Sequence, residues 1–220
     1  MAVKEERAEA LRSEVYTLLG ELLREPARPL FEALVSGDVA DALADAFEHL
    51  GLTAAPFLFA GAVEGVASPP RSLEELKRAH WDAFANPLSD RVAPVESVYR
   101  PWSEASTTDT GMGGARGYLL SDRALHLLEL YRLTGVAVPV GFEATPDHLA
   151  LELDFMALLC RRGHPAEQAR FLEDHLSWLD DLAQDARRRE IPVFYAAVLE
   201  LTASLVRWDA ARLHEAREGG

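Results

Sequence analysis

His148 and Glu152 are the residues whose types and spacing stand out in this chain of 220 residues. Four positions apart on a helix, an imidazole and a carboxylate lie on one flank and can meet. Such a pair can exchange protons, occupy two corners of a metal site, or receive a cationic group from a partner. Asp147 adds a second carboxylate beside them. The surrounding stretch, Thr145-Pro146-Asp147-His148-Leu149-Ala150-Leu151-Glu152-Leu153-Asp154-Phe155-Met156, reads as the opening of a helix. Thr145 can cap the first free N–H groups, Pro146 suits the first helical position, and Asp147 complements the positive end of the helix dipole. Leu149, Leu153 and Met156 then form one apolar stripe, with His148 and Glu152 on its flank.

The catalytic readings need partners that the sequence does not supply. A carboxylate-bridged di-iron bundle requires Glu-x-x-His pairs, and none occurs. The His-Glu-x-x-His spacing of zinc proteases and the Gly-x-Ser-x-Gly elbow are also absent. The glycine cluster from Gly111 to Gly117 lacks the Lys-Ser/Thr of a phosphate loop and reads as a loop. Cys160 is the single cysteine, which excludes an internal disulfide, and its apolar neighbours predict an inert buried thiol. A metal-dependent helical enzyme using His148 and Glu152 stays as an alternative. The main expectation is no catalytic residue, no metal and no cofactor.

A formal net charge of −14 argues against nucleic acid and against anionic membrane surfaces, and it suits a basic peptide partner. No apolar run approaches the ~20 residues that span a bilayer. The segment Met1–Arg7 enters an amphipathic pattern without an apolar signal core, which predicts a cytoplasmic protein without stable membrane insertion.

The elements that must position these residues are helical throughout. The fold expected is all-α, a single-domain bundle of about eight to ten helices over residues 1–210, followed by a frayed charged tail at 211–220. Leu11, Val15, Leu18, Leu19, Leu22 and Leu23 stripe a first helix that ends before Pro26. Asp38 can cap a helix closed by Gly51, and Ser72-Leu73-Glu74-Glu75 is a capping box for a helix to about Phe84. Residues 88–118 are aperiodic. Asp122 can cap the next helix, to Leu133, and residues 136–143 link it to the Pro146 helix. Further helices are predicted over 166–189 and from Val193 to about Trp208. Phe171, His175, Trp178 and Leu182 share one face and read as core, with His175 a satisfied buried histidine.

Several of these motifs also carry a resemblance. The stretch from Pro146 to Met156 is similar to the Pro-x-Asp-His-x-x-x-Glu-Leu-x-Phe-Met signature of the TorD/DmsD/NarJ family, with Thr145 where the family usually has Glu. Pro94-Val95-Glu96-Ser97-Val98-Tyr99-Arg100-Pro101-Trp102, Phe84 with Pro87, the Phe171–Trp178 helix and Phe194-Tyr195 match in the same order, over roughly Leu76 to Asp209. The resemblance implies an all-helical cytoplasmic chaperone of the TorD type. Its partner would be the catalytic subunit of a molybdopterin oxidoreductase, or the twin-arginine leader peptide of that subunit, held until cofactor insertion and export. The residues it points to are Pro146, Asp147, His148, Glu152, Glu96, Tyr99, Arg100, Trp102 and Phe84. A NarJ-like assembly factor for a non-exported enzyme is the alternative. Both a monomer and a domain-swapped homodimer fit the long linkers.

Overall fold

Gly20 explains how the two central helices come together. In the computed structural model, which describes residues 2–52, 70–101 and 119–218, α1 (Ala2–Leu22) packs along α7 (Leu149–Arg162). A Cβ at Gly20 would stand 3.1 Å from both Ala150 O and Asp154 Oδ1. The bare backbone therefore lets α1 approach closely, and Arg24 reaches across to Asp154. Tyr16 and Leu19 on α1, with Leu23 in the turn after it, join Leu149, Leu153 and Met156 on α7 in the core.

Other helices close around this pair. α3 (Asp38–Leu50) packs on α1, and α2 (Arg28–Ser36) packs on α3, burying Leu34, Leu43 and Phe47. Gly37, at φ 92°, makes the turn between them. After α4 (Leu73–His80) come a π-turn at Trp81–Ala85, the single turn α5 (Glu96–Tyr99) and α6 (Asp122–Thr134). α7 is followed by α8 (Pro165–Phe171), a second π-turn at Leu172–Leu176, α9 (Leu179–Arg188) and α10 (Val193–Glu218). Among the described residues there is no β-strand, and no helix is long and apolar enough to cross a membrane.

α1 is fastened to the far end of the chain by a buried ion pair. The Arg12 guanidinium, wholly out of solvent, donates to Asp209 Oδ2 at 2.5 Å and to Gln168 Oε1 at 2.9 Å. Tyr16 O–H donates to the same Asp209 oxygen at 2.8 Å. Cys160 is buried as expected, and burial pushes its thiol up to about 12.

Element boundaries depart from expectation where tertiary contacts take over. Ser72 caps α4 by accepting from Glu75 N–H, but the cap of α6 is Ser121, not Asp122. α3 begins at Asp38 without a side-chain cap. The helix expected over 166–189 is divided by the second π-turn. Residues 211–218 are helical within α10. The glycine cluster at 111–117 and Trp102 lie outside the described residues.

Candidate functional site

The helix start that organises the site falls three residues later than the sequence predicts. His148, not Thr145, is the N-cap of α7, and its Nδ1 accepts from Ala150 N–H at 3.1 Å. Thr145, Pro146 and Asp147 form a turn ahead of it, closed by His148 N–H on Thr145 O. The reason lies fifty residues upstream. Leu149 N–H donates to Pro94 O at 2.8 Å and Glu96 N–H to Asp147 O at 3.0 Å, an antiparallel bridge between Val95 and His148. Asp147 Oδ2 accepts from Ser97 N–H at 2.7 Å and from Ser97 Oγ–H. Asp147 thus caps the first turn of α5 from outside instead of serving its own helix. Ser97 Oγ also lies 2.8 Å from Ser121 Oγ, the α6 cap. The segments around Glu96 and Asp147 are therefore one structural unit.

Three carboxylates meet in this unit, and none reaches water. Glu96, Asp147 and Glu152 are all fully buried. Glu152 Oε2 accepts from Trp178 Nε1–H at 3.2 Å. Glu96 Oε2 lies 3.0 Å from His175 Nδ1, and Arg123 stands 3.6 Å from Glu96 Oε1. One oxygen of each carboxylate, Glu96 Oε1, Asp147 Oδ1 and Glu152 Oε1, has no hydrogen-bond partner. Burial pushes Glu96 up to about 8 against the pull of Arg123, with Asp147 adding to the rise. Burial, then Glu96 and Asp147, hold Glu152 well above the usual carboxylate range.

The imidazole expected beside Glu152 has different business. His148 is half-buried, edge-on to Phe142 with ring centroids 5.0 Å apart, and burial lowers it to about 3. It is a neutral capping acceptor, while Glu152 turns to Trp178. The acid–base pair suggested by the spacing is not assembled. Among the described residues, no group of three His, Cys, Asp or Glu could hold a metal ion.

The other expected residues edge the same unit. Tyr99, half-buried, stacks on Trp178 at 5.3 Å and donates to Asp185 Oδ2 at 3.2 Å. Arg100 reaches Ser177 in the loop before α9. Phe84, on the first π-turn, packs edge-on to His80 and Tyr195 at 5.2 and 5.1 Å. Val92 N–H on Ala83 O ties that turn to the Pro94 segment. Sequence reasoning missed Ser97, Ser121, Arg123 and His126. Only Ser97 carried a signal, as the neighbour of Glu96 in its motif.

With this geometry in place, relationships to known proteins become informative. The profile of the family described as nitrate reductase delta subunit matches residues 34–184, more than half of the chain. The chain belongs to this family. Among curated relatives it is similar to the chaperone protein TorD of Shewanella pealeana, 26% identical over 141 residues that make up 64% of this chain and 61% of the relative. The TorD of Vibrio cholerae strain O395 is 28% identical over 153 residues, 64% of this chain and 63% of that one. For the Vibrio parahaemolyticus TorD the figures are 28% over 112 residues, 46% and 52%. The chain spans between about half and just under two-thirds of the length of these relatives. By name they are chaperones. No solved structure gives a significant match.

Proposed function

We propose that the protein is a non-catalytic maturation chaperone for a redox enzyme, and that its site binds the twin-arginine leader of a molybdopterin oxidoreductase subunit in the cytoplasm. One observation carries the reading: the Glu96 and Asp147 motifs, fifty residues apart, are joined into a single unit around three carboxylates with unsatisfied oxygens. A guanidinium offers five N–H donors in a planar fork. It would answer those oxygens once the α5 turn, held by Ser97, Tyr99 and Arg100, moves aside. The leader's apolar stretch would lie as a helix against the half-buried surface of Phe84, Tyr99 and His148, an anchor-in-groove mode. Pro146 and His148 fix the start of α7 beneath it. Net charge of −14 favours encounter with a basic segment.

The nitrate reductase delta subunit match favours a second reading, an assembly factor for an enzyme that is not exported. Calorimetric titration with leaders encoded near this gene separates the two. Wild type should bind one leader. Glu152→Gln, which keeps an acceptor for Trp178, should bind at least about tenfold more weakly (about 1.4 kcal/mol) without losing thermal stability. Absence of binding by folded wild type would reject the leader reading and favour the assembly role.

A further inference from the structure

Glu96 stands at the inner end of a hydrogen-bonded chain that reaches the surface. Its Oε2 lies 3.0 Å from His175 Nδ1, and His175 Nε2 lies 2.9 Å from His126 Nδ1. The two imidazoles stack with centroids 5.0 Å apart at 30°. Glu96 and His175 are buried, whereas His126 is exposed. His126 and His175 line a cavity of about 310 Å³ together with Asp174, Arg170, Phe155 and Phe171. In this chain each nitrogen is used once, and only His126 Nε2 lies outside it.

The charges around the chain leave the buried carboxyl free to change state. Glu96 is faced by Arg123 from α6, by Arg100 from the end of α5, by Asp147 ahead of α7 and by Asp174 on the second π-turn. Glu152 on α7 faces Glu96 and Asp147 and shares the influence of Arg123. His175 feels Arg123, Asp174 and Asp147, and His126 feels His175, Asp174, Arg123 and Glu96. Carboxylates crowded in a low dielectric cannot all ionise and titrate as a group. Burial keeps both imidazoles below their ordinary range, His175 at about 4. Near neutral pH they carry one proton each.

We propose that Glu96, His175 and His126 form a proton relay, in which the state of the buried carboxyl decides whether His126 offers the surface a hydrogen-bond donor or an acceptor. Glu96 Oε1 has no hydrogen-bond partner, so the acid proton belongs on Oε2, where His175 Nδ1 accepts it. His175 then donates from Nε2 to His126 Nδ1, and His126 carries its proton on Nε2, facing outward. When Glu96 ionises, its proton passes to His175 Nδ1. The Nε2 proton of His175 passes to His126 Nδ1, and the Nε2 proton of His126 leaves to water. One proton is released, each ring stays neutral, and His126 Nε2 becomes an acceptor. The relay reports the charge state of the buried carboxyl at the cavity that His126 lines.

Side-chain ¹⁵N NMR of histidine-labelled protein between about pH 6.5 and 9.5 tests this. In wild type, His126 should pass from the Nε2–H to the Nδ1–H tautomer with a midpoint near that of Glu96, about 8. In Glu96→Gln the change should vanish, because an amide cannot release the proton. If that variant fails to fold, Arg123→Gln removes a cation facing Glu96 and should raise the midpoint by at least about half a unit. A fixed His126 tautomer in wild type, an identical transition in Glu96→Gln, or an unmoved midpoint in Arg123→Gln would each overturn the relay.

Discussion

At the scale of single residues, His148 shows how one position can do a different task from the one its neighbours suggest. Helix N-caps favour Ser, Thr, Asp and Asn, whose short side chains return to the backbone. Here an imidazole does so, and it can because burial keeps Nδ1 unprotonated. His148→Ala should therefore destabilise the fold by about 1 kcal/mol in urea denaturation. His148→Asn should recover at least half of that loss. The His–Glu spacing was legible in the sequence, but the direction in which each side chain turns was not. Thr145-Pro146-Asp147 satisfies every local rule for a helix start, yet Asp147 is held more strongly by Ser97 across the chain. Nothing in a sequence marks a carboxylate as buried, so Glu96, Asp147 and Glu152 read as partner-facing when they are internal.

At the scale of elements, the periodicity was informative and the interruptions were not. Phe171, His175, Trp178 and Leu182 are all buried as their spacing predicts, although a π-turn divides their helix. A π-turn inserts its extra residue without Pro or Gly, so it leaves no punctuation to read. What joins α5, α6, α7 and the second π-turn is the carboxylate unit, and it gives these elements a shared pH dependence. Glu96 and Glu152 hold their protons more tightly folded than unfolded, so their contribution falls as pH rises above about 4.5, for Glu96 through about 8. His175 and His148 are lowered, so theirs grows as pH rises from about 3 towards 6.5. Above 6.5 only the carboxyl effect remains. The melting temperature should decline from pH 6.5 to about 8.5, and Glu96→Gln or Glu152→Gln should flatten that decline in calorimetric scans.

At the scale of the whole molecule, the all-helical architecture was legible from patterning alone, whereas the Arg12–Asp209 pair was not, because its partners are 197 positions apart. Asp209→Ala leaves the buried Arg12 guanidinium with Glu9 as its remaining counter-ion and should cost about 3 kcal/mol, roughly 10 °C in melting temperature. Replacing both members, Arg12→Met with Asp209→Leu, should restore much of it, since an apolar pair leaves no uncompensated charge. The separation of this pair also has a meaning in time. While the chain is being made, α1 emerges with an arginine that has Glu9 beside it but whose buried partner, Asp209, does not yet exist. At about 5–20 residues per second, Asp209 follows only some ~10–40 s later. Until then α1 can pack on α7 but the buried place of Arg12 stays unclosed, so the protein that is proposed to shelter an unfinished client must itself wait, partly open, for α10.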